Sequence, residues 1–332
     1  EAFTVVIGLS SDEKYYFITS SDHNTSEQYY FAVNETKPQP KLMQKREKGI
    51  IYSINSWGGY FYMHTNKGAE DFKIDKTNDI SFVKWESYIP AKDETLIGGL
   101  TFLNNWIIRS EVTNALGKIF VKNLKNEKEE ELIFSDEKVF DGGVSLVQKD
   151  KNTDLVHISY STPKTQSRVY LYNLKSKEKK LVKEQIIPSG HNPDDYIVER
   201  FNCDSHDGRK VPITITRHKK TNIDGNANLL LYGYGSYGNS MSPSFSSTRL
   251  SLVNRDIIWV TAHIRGGLER GMKWWKEGKL LNKKNTFEDY IAAAKFLIQK
   301  KYTSKGKIIG MGGSAGGLLM GAVVNKAPEL FA

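Results

Sequence analysis

From the start of the chain to about residue 186, hydrophobic residues come in short aromatic and β-branched runs separated by polar turns. Such runs fit half-buried pleated surfaces, so the pattern predicts many short β-strands. Aligned on itself, the chain repeats. Lys14–Ile18, Gly59–Met63, Asn105–Arg109 and Asp154–Ile158 recur at intervals of roughly 45 to 50 residues, the spacing of propeller blades. Each is followed by a polar turn and a second strand: Gln28–Val33, Glu70–Ile74, Lys118–Val121 and Arg168–Tyr172. Repeats of this length with several strands per unit predict a partial β-propeller of about four blades; a β-sandwich is the alternative.

The texture changes at Ile186-Ile187-Pro188-Ser189-Gly190-His191-Asn192-Pro193, which reads as a linker. The expected boundary divides residues 1–187 from residues 188–332. Beyond it, Tyr196–Phe201 and Val211–Thr216 flank Asp207-Gly208, a hairpin signal. Buried-looking strands follow at Asn228–Tyr232 and Asp256–Ala262, then a helix over Phe287–Lys300 with Asn285 or Thr286 as its cap. A last strand over Lys307–Met311 runs into Gly312-Gly313-Ser314-Ala315-Gly316. Alternating strands and helices predict a mostly parallel sheet covered on both faces, the first part of an α/β-hydrolase domain.

The G-x-S-x-G run is a nucleophile elbow: the serine sits on a strained strand-to-helix turn whose neighbours must be small. Ser314 is the candidate nucleophile, and as a free alcohol it needs a base to take its proton. The helix after it aims its first amides at developing negative charge, so the N–H of Ala315 is a candidate oxyanion donor. A second donor is expected from the loop after an earlier strand. Tyr232-Gly233-Tyr234-Gly235-Ser236-Tyr237-Gly238 meets that description, its glycines permitting close backbone approach and its tyrosines carrying donor hydroxyls. An aromatic surface loop that only packs is the plain alternative.

Composition narrows the picture. The net charge is +9, but 47 basic and 38 acidic residues are interspersed, and the dense run Lys175–Lys183 reads as a solvated hairpin. No aromatic-basic module accompanies the charge, so no nucleic-acid partner is expected. Cys203 is the single cysteine, which excludes an internal disulfide. The carboxylates and histidines show no ligand spacing, so neither a metal nor an organic cofactor is expected. The opening residues have neither the basic nor the apolar region of a signal peptide, and read as the middle of a protein. No run approaches the roughly 18 apolar residues of a membrane span. The expectation is a soluble, cytoplasmic protein with no membrane partner.

Four separated motifs, Leu230–Gly238, Ala262–Gly267, Asn285–Tyr290 and Gly312–Gly321, resemble in sequence and order the prolyl oligopeptidase family of serine peptidases. The resemblance is dense over residues 190–332 and looser before. It implies a propeller that limits access, short peptides as substrates, and Tyr234 as the oxyanion donor. Ala315 and Ser236-Tyr237 favour the branch of the family that cleaves after Arg or Lys. Ser242 and Ser244 stand where some relatives carry acids, so preference for a second basic residue is in doubt. Arg265 and Glu269, in a run where Leu268 replaces a family glycine, are expected to anchor a loop by charge pairs. His263 reads as a packed core histidine.

One part of the mechanism is missing. In α/β-hydrolases the triad runs Ser, then Asp or Glu, then His. All seven histidines here precede Ser314, and Glu329 is the only acid among the 18 residues after it. The chain alone is therefore expected to lack triad-dependent activity, as a fragment or as a partner of a second chain carrying the Asp and His. A carboxylesterase or acyl-peptide hydrolase, and a non-catalytic propeller interaction module, are the alternatives.

Overall fold

The computed structural model describes residues 3–332. The chain divides into two compact units: residues up to 111 with 120–130, and residues 112–119 with 131–332. Four sheets of four strands come first, each in plain chain order. They are β1 (Thr4–Leu9), β2 (Tyr15–Ser21), β3 (Ser26–Ala32) and β4 (Lys41–Gln44); β5 (Tyr52–Trp57), β6 (Tyr60–Thr65), β7 (Lys73–Thr77) and β8 (Glu86–Ile89); β9 (Thr95–Leu103), β10 (Trp106–Thr113), β11 (Leu116–Asn123) and β12 (Glu129–Glu131); and β13 (Asp141–Leu146), β14 (Leu155–Ser161), β15 (Arg168–Asn173) and β16 (Lys179–Glu184). These meanders are propeller blades. The sequence repeat coincides with the second strand of each, β2, β6, β10 and β14.

In the first unit the leading two blades share an aromatic core. Phe82 meets the rings of Tyr30 and Phe61 edge-on at centroid distances of 5.3 and 5.0 Å, the arrangement aromatic quadrupoles favour. Buried polar side chains complete the junction. The Gln28 Oε1 accepts from the Ile54 amide at 2.8 Å, and the Tyr52 hydroxyl donates to the Gln44 carbonyl at 2.6 Å.

The second unit carries a five-stranded sheet in the order β17-β18-β20-β19-β21. Its strands are β17 (Tyr196–Asp204), β18 (Lys210–His218), β19 (Leu229–Tyr232), β20 (Ile258–Ala262) and β21 (Ile308–Met311). β17, β18 and β20 pair antiparallel, while β20, β19 and β21 run parallel. The helices are α1 (Ser247–Val253), α2 (Gly271–Lys276), α3 (Lys284–Gln299) and α4 (Gly316–Lys326). Tyr290, Ala293, Ala294 and Leu297, at helical spacing on α3, share one core with Leu319 and Val323 of α4 and with Ile213, Leu231 and Val260 of the sheet. Leu250 and Val253 of α1 pack with Trp259, which alternates to the opposite face of β20 from Ile258 and Val260. None of the described helices is long and apolar enough to cross a membrane.

The start of α3 corrects the sequence reading. A 3-10 turn over Leu280–Asn282 runs through Lys283 directly into the helix, so Asn285 and Thr286 lie inside its first turn. Neither side chain caps it. The Asn285 amide donates to the Glu277 carbonyl at 3.0 Å, and the Thr286 hydroxyl donates to Arg265 and Gly278 carbonyls at 2.9 and 3.1 Å. Both tie α3 to the loop that precedes it.

That loop is anchored by charge. The Arg265 guanidinium, 1% exposed, makes a two-point contact with the fully buried Asp289 of α3 at 2.6 and 2.9 Å. It also reaches Asp207 in the β17–β18 hairpin at 2.5 Å. Ser205 donates to the same Asp289 carboxylate at 2.6 Å, and the Arg265 amide adds another bond at 3.0 Å. Every oxygen of Asp289 is thus matched, which keeps a buried pair from being a liability. A second buried group lies nearby in the fold: His263, with Nε2 2.8 Å from the Thr214 hydroxyl and 2.9 Å from Arg200, and Glu269, whose Oε1 accepts from the Met241 amide at 3.0 Å. Burial pushes the Glu269 carboxyl up to about 7, against the pull of the Met241 amide and Arg200. Burial first, and Arg200 second, hold His263 well below the usual imidazole range.

Two outcomes follow from these buried charges. Arg265→Met leaves Asp289 uncompensated and lowers the urea-unfolding free energy by about 3–5 kcal/mol, whereas Arg209→Met, which breaks the partly exposed pair with Glu277, costs about 1 kcal/mol. Similar losses for both would contradict the assignment of Arg265 as the anchor. The raised Glu269 pKa means that the folded state keeps a proton the unfolded state releases above the ordinary carboxylate value. Its contribution is complete below about pH 4.5 and is lost as pH rises through about 7. The depressed His263 acts oppositely, its contribution being lost as pH falls below 6.5. Melting curves of Glu269→Gln and the parent protein therefore diverge in favour of the variant from pH 5 to pH 8. A difference independent of pH would refute the buried proton.

Candidate active site

The parallel strands β19, β20 and β21 release three loops at their carboxyl ends, the edge at which open α/β sheets bind ligands. Register fixes their neighbourhood: Tyr232 pairs with Thr261 on one side and Met311 on the other. The loop after β21 is the elbow. Ser314 is exposed and has φ +53°, a left-handed conformation that a side chain adopts only when the surrounding structure enforces it. The chain then enters α4 with Ala315 at its N-cap. The turn is closed by the amides of Gly316 and Gly317, which donate to the carbonyls of Gly313 and Ser314 at 2.7 and 2.8 Å. The Ala315 amide has no acceptor among the described residues, which leaves it available to a ligand.

The glycines divide into two kinds. A Cβ on Gly312 would stand 2.6 Å from the Gly316 carbonyl oxygen and 3.0 Å from that of Gly233, and one on Gly316 would stand 3.1 Å from the Gly233 oxygen. Those two positions admit no side chain without backbone movement. Gly313 and Gly317 face open space, so the requirement for small neighbours applies only to the outer pair of the motif.

The same contacts bring the second candidate to the elbow. The Tyr234 Cα and Cδ2 lie 3.8 and 3.6 Å from the place a Gly316 Cβ would occupy, so the half-buried Tyr234 packs over the first turn of α4. Its loop is held at several points. The Gly233 amide donates to the Met311 carbonyl at 3.0 Å, and the Gly238 amide donates to Gly266 at 2.9 Å. Gly235, at φ +64°, turns where a Cβ would press into the Arg265 carbonyl at 2.8 Å. Beneath the loop, the Tyr290 ring occupies the space a Gly233 Cβ would need, and its hydroxyl donates to the Leu231 carbonyl at 2.5 Å.

Ser314, Ala315 and Tyr234 therefore share one corner of the second unit. The histidines are engaged elsewhere. His263 is sealed with Arg200 and Thr214, His64 and His191 bond the carbonyls of Ile97 and Lys164, and His157 sits in β14 opposite Ser145 and Leu171. His23, His206 and His218 contact Asn24, Ser205 and the Lys220 amide. Among the described residues no group of three or more His, Cys, Asp or Glu side chains is arranged to hold a metal ion. Sequence reasoning missed Lys283, whose ammonium bonds the Gly235 carbonyl and, at 2.8 Å, the Ser236 hydroxyl. In a stretch that also carries Lys273, Lys276, Lys279 and Lys284, no signal singles it out.

Comparison with known proteins agrees with this architecture. Residues 1–185 match the model of the prolyl oligopeptidase N-terminal beta-propeller domain, and residues 243–332 match that of the prolyl oligopeptidase family. The chain is 35% identical to "Dipeptidyl aminopeptidase BI" of Pseudoxanthomonas mexicana over 336 residues, covering all of this chain and 46% of that protein. It is 34% identical to "Protease 2" of Moraxella lacunata, covering all of this chain and 47% of the relative. Among solved structures, oligopeptidase B from Trypanosoma brucei superposes with a TM-score of 0.91 at 32% identity, over 99% of this chain and 48% of the other. The chain thus spans about half the length of the relatives it matches. With propeller blades, a strained serine elbow and matches to both family models, the chain belongs to the prolyl oligopeptidase family of serine peptidases.

Proposed function

We propose that Ser314 is the nucleophile of a cytoplasmic oligopeptidase that cleaves short peptides after Arg or Lys through an acyl-enzyme. The observation that carries this reading is the left-handed Ser314 at a strand-to-helix turn, with Tyr234 packed over the first turn of that helix. In the acylation step the Ser314 Oγ attacks the peptide carbonyl and gives its proton to a general base. The Ala315 amide and Tyr234 hydroxyl take the oxyanion, and the amine leaves with the proton the base returns. Water then cleaves the ester by the same route. The base and its carboxylate come from polypeptide beyond residues 1–332, in the same chain or a second one. The preference for Arg or Lys rests on Ala315, on Ser236-Tyr237, and on relatives named protease 2 and oligopeptidase B.

A second reading, release of dipeptides from free amino termini, is favoured by the relative named dipeptidyl aminopeptidase. N-blocked Arg and Lys reporters, dipeptidyl reporters with a free amino terminus and simple acyl esters separate endopeptidase, dipeptidyl aminopeptidase and esterase. The proposal expects fastest turnover of the blocked basic reporters by the complete protein, and dominance by either other class would replace it. Ser314→Ala abolishes turnover, and Tyr234→Phe lowers kcat by about 10²–10³ with little change in KM. Residues 1–332 alone react slowly with an organophosphonate; rapid stoichiometric labelling of Ser314 in that chain would refute an external base.

A further inference from the structure

We propose that Lys283 is a positioning residue for the oxyanion side of the site, clamping the loop that carries Tyr234. This rests on the reading of Tyr234 as an oxyanion donor. Lys283 is half-buried at the junction between the Leu280–Asn282 turn and α3, and its ammonium donates to the Gly235 carbonyl and the Ser236 hydroxyl. None of the described carboxylates pairs with it. Burial, the sole cause acting on it, pulls its pKa below the usual lysine value. A partly desolvated ammonium satisfied by two neutral oxygens gains little stability for the fold. What the arrangement does accomplish is geometric.

The clamp acts on the peptide unit next to Tyr234. Gly235 is the left-handed residue at which the loop reverses, and its carbonyl oxygen is pressed against Gly266, where no Cβ would fit. The loop is tied before Tyr234 by the bond from Gly233 to Met311, and well after it by the bond from Gly238 to Gly266. Between those ties, Lys283 is the one charged group that grips the loop at Gly235 and Ser236 among the described residues. Without it, the Gly235 carbonyl keeps its contact with Gly266 but loses its charged donor, so the stretch between the two ties is held less firmly and the Tyr234 phenol shifts with it. A donor displaced by about 1 Å forfeits on the order of 10²-fold in rate while substrate binding is largely kept.

The test compares Lys283→Met, Lys283→Arg, Ser236→Ala and Tyr234→Phe in the complete protein, with Ser314→Ala as the site control. The expected result is a kcat lowered about 10- to 100-fold in Lys283→Met with KM within about twofold, and recovery of most of the rate in Lys283→Arg. The double variant Lys283→Met/Tyr234→Phe is no slower than Tyr234→Phe alone, because both changes act through one hydroxyl. If Lys283→Met does not fold, Ser236→Ala removes a single acceptor of the clamp and is expected to give a smaller kcat loss that Tyr234→Phe again absorbs. On residues 1–332 themselves, hydrogen exchange of the amides of 233–238 rises in Lys283→Met while those of the sheet hold. An unchanged kcat, or losses that multiply with Tyr234→Phe, would overturn the clamp. A Tyr234→Phe variant with full activity beside an inactive Ser314→Ala would instead overturn the role of Tyr234.

Discussion

Backbone meeting backbone is the constraint on which the second unit depends. At the carboxyl ends of the parallel strands, the Gly233 carbonyl oxygen occupies the space beside both Gly312 and Gly316, and the Gly235 carbonyl lies against Gly266. Gly278 stands in turn against the backbone of Arg265 and Gly266. Three loops are thus stacked with no side chain between them. Such packing gives the site a rigidity that flexible surface loops lack. It also makes the site intolerant of side chains at these glycines.

Contacts this close leave no room for water, so the polar groups at the junction must satisfy one another. The Thr286 hydroxyl serves the carbonyls of Arg265 and Gly278, and Asp289 is saturated by Arg265 and Ser205. Helix α3 is therefore more than a cover for the sheet. Its start holds the backbone of the two loops beside the elbow, through Lys283 just before it and through Thr286 and Asp289 within it.

Much of this was legible in the sequence, for identifiable reasons. The second strand of every blade is written in aromatic and β-branched residues, so the repeat emerged from β2, β6, β10 and β14. Outer strands such as β12, which is Glu129-Glu130-Glu131, and β16, Lys179–Glu184, carry no apolar alternation and left no comparable mark. Ser314 was legible because its geometry demands a glycine frame that few other structures require. The cap at Asn285 or Thr286 was misread, because a polar residue before an apolar run looks the same whether it accepts from helix amides or donates to a distant carbonyl. Lys283 was invisible because its role depends on where the Gly235 loop folds back, and that is long-range information. The clamp, the buried Glu269 and the saturated Asp289 are all of this kind.

The left-handed backbone of Ser314 also limits which chemistries the scaffold can host. A residue branched at Cβ is strongly disfavoured at positive φ, so threonine fits this turn poorly despite having the same hydroxyl. Cysteine, unbranched and of similar size, meets no such obstacle. Conversion between hydroxyl and thiol chemistry is thus open to a single substitution, whereas exchange between the two alcohols is closed by the main chain. The elbow selects the residue at its tip by shape before reactivity enters.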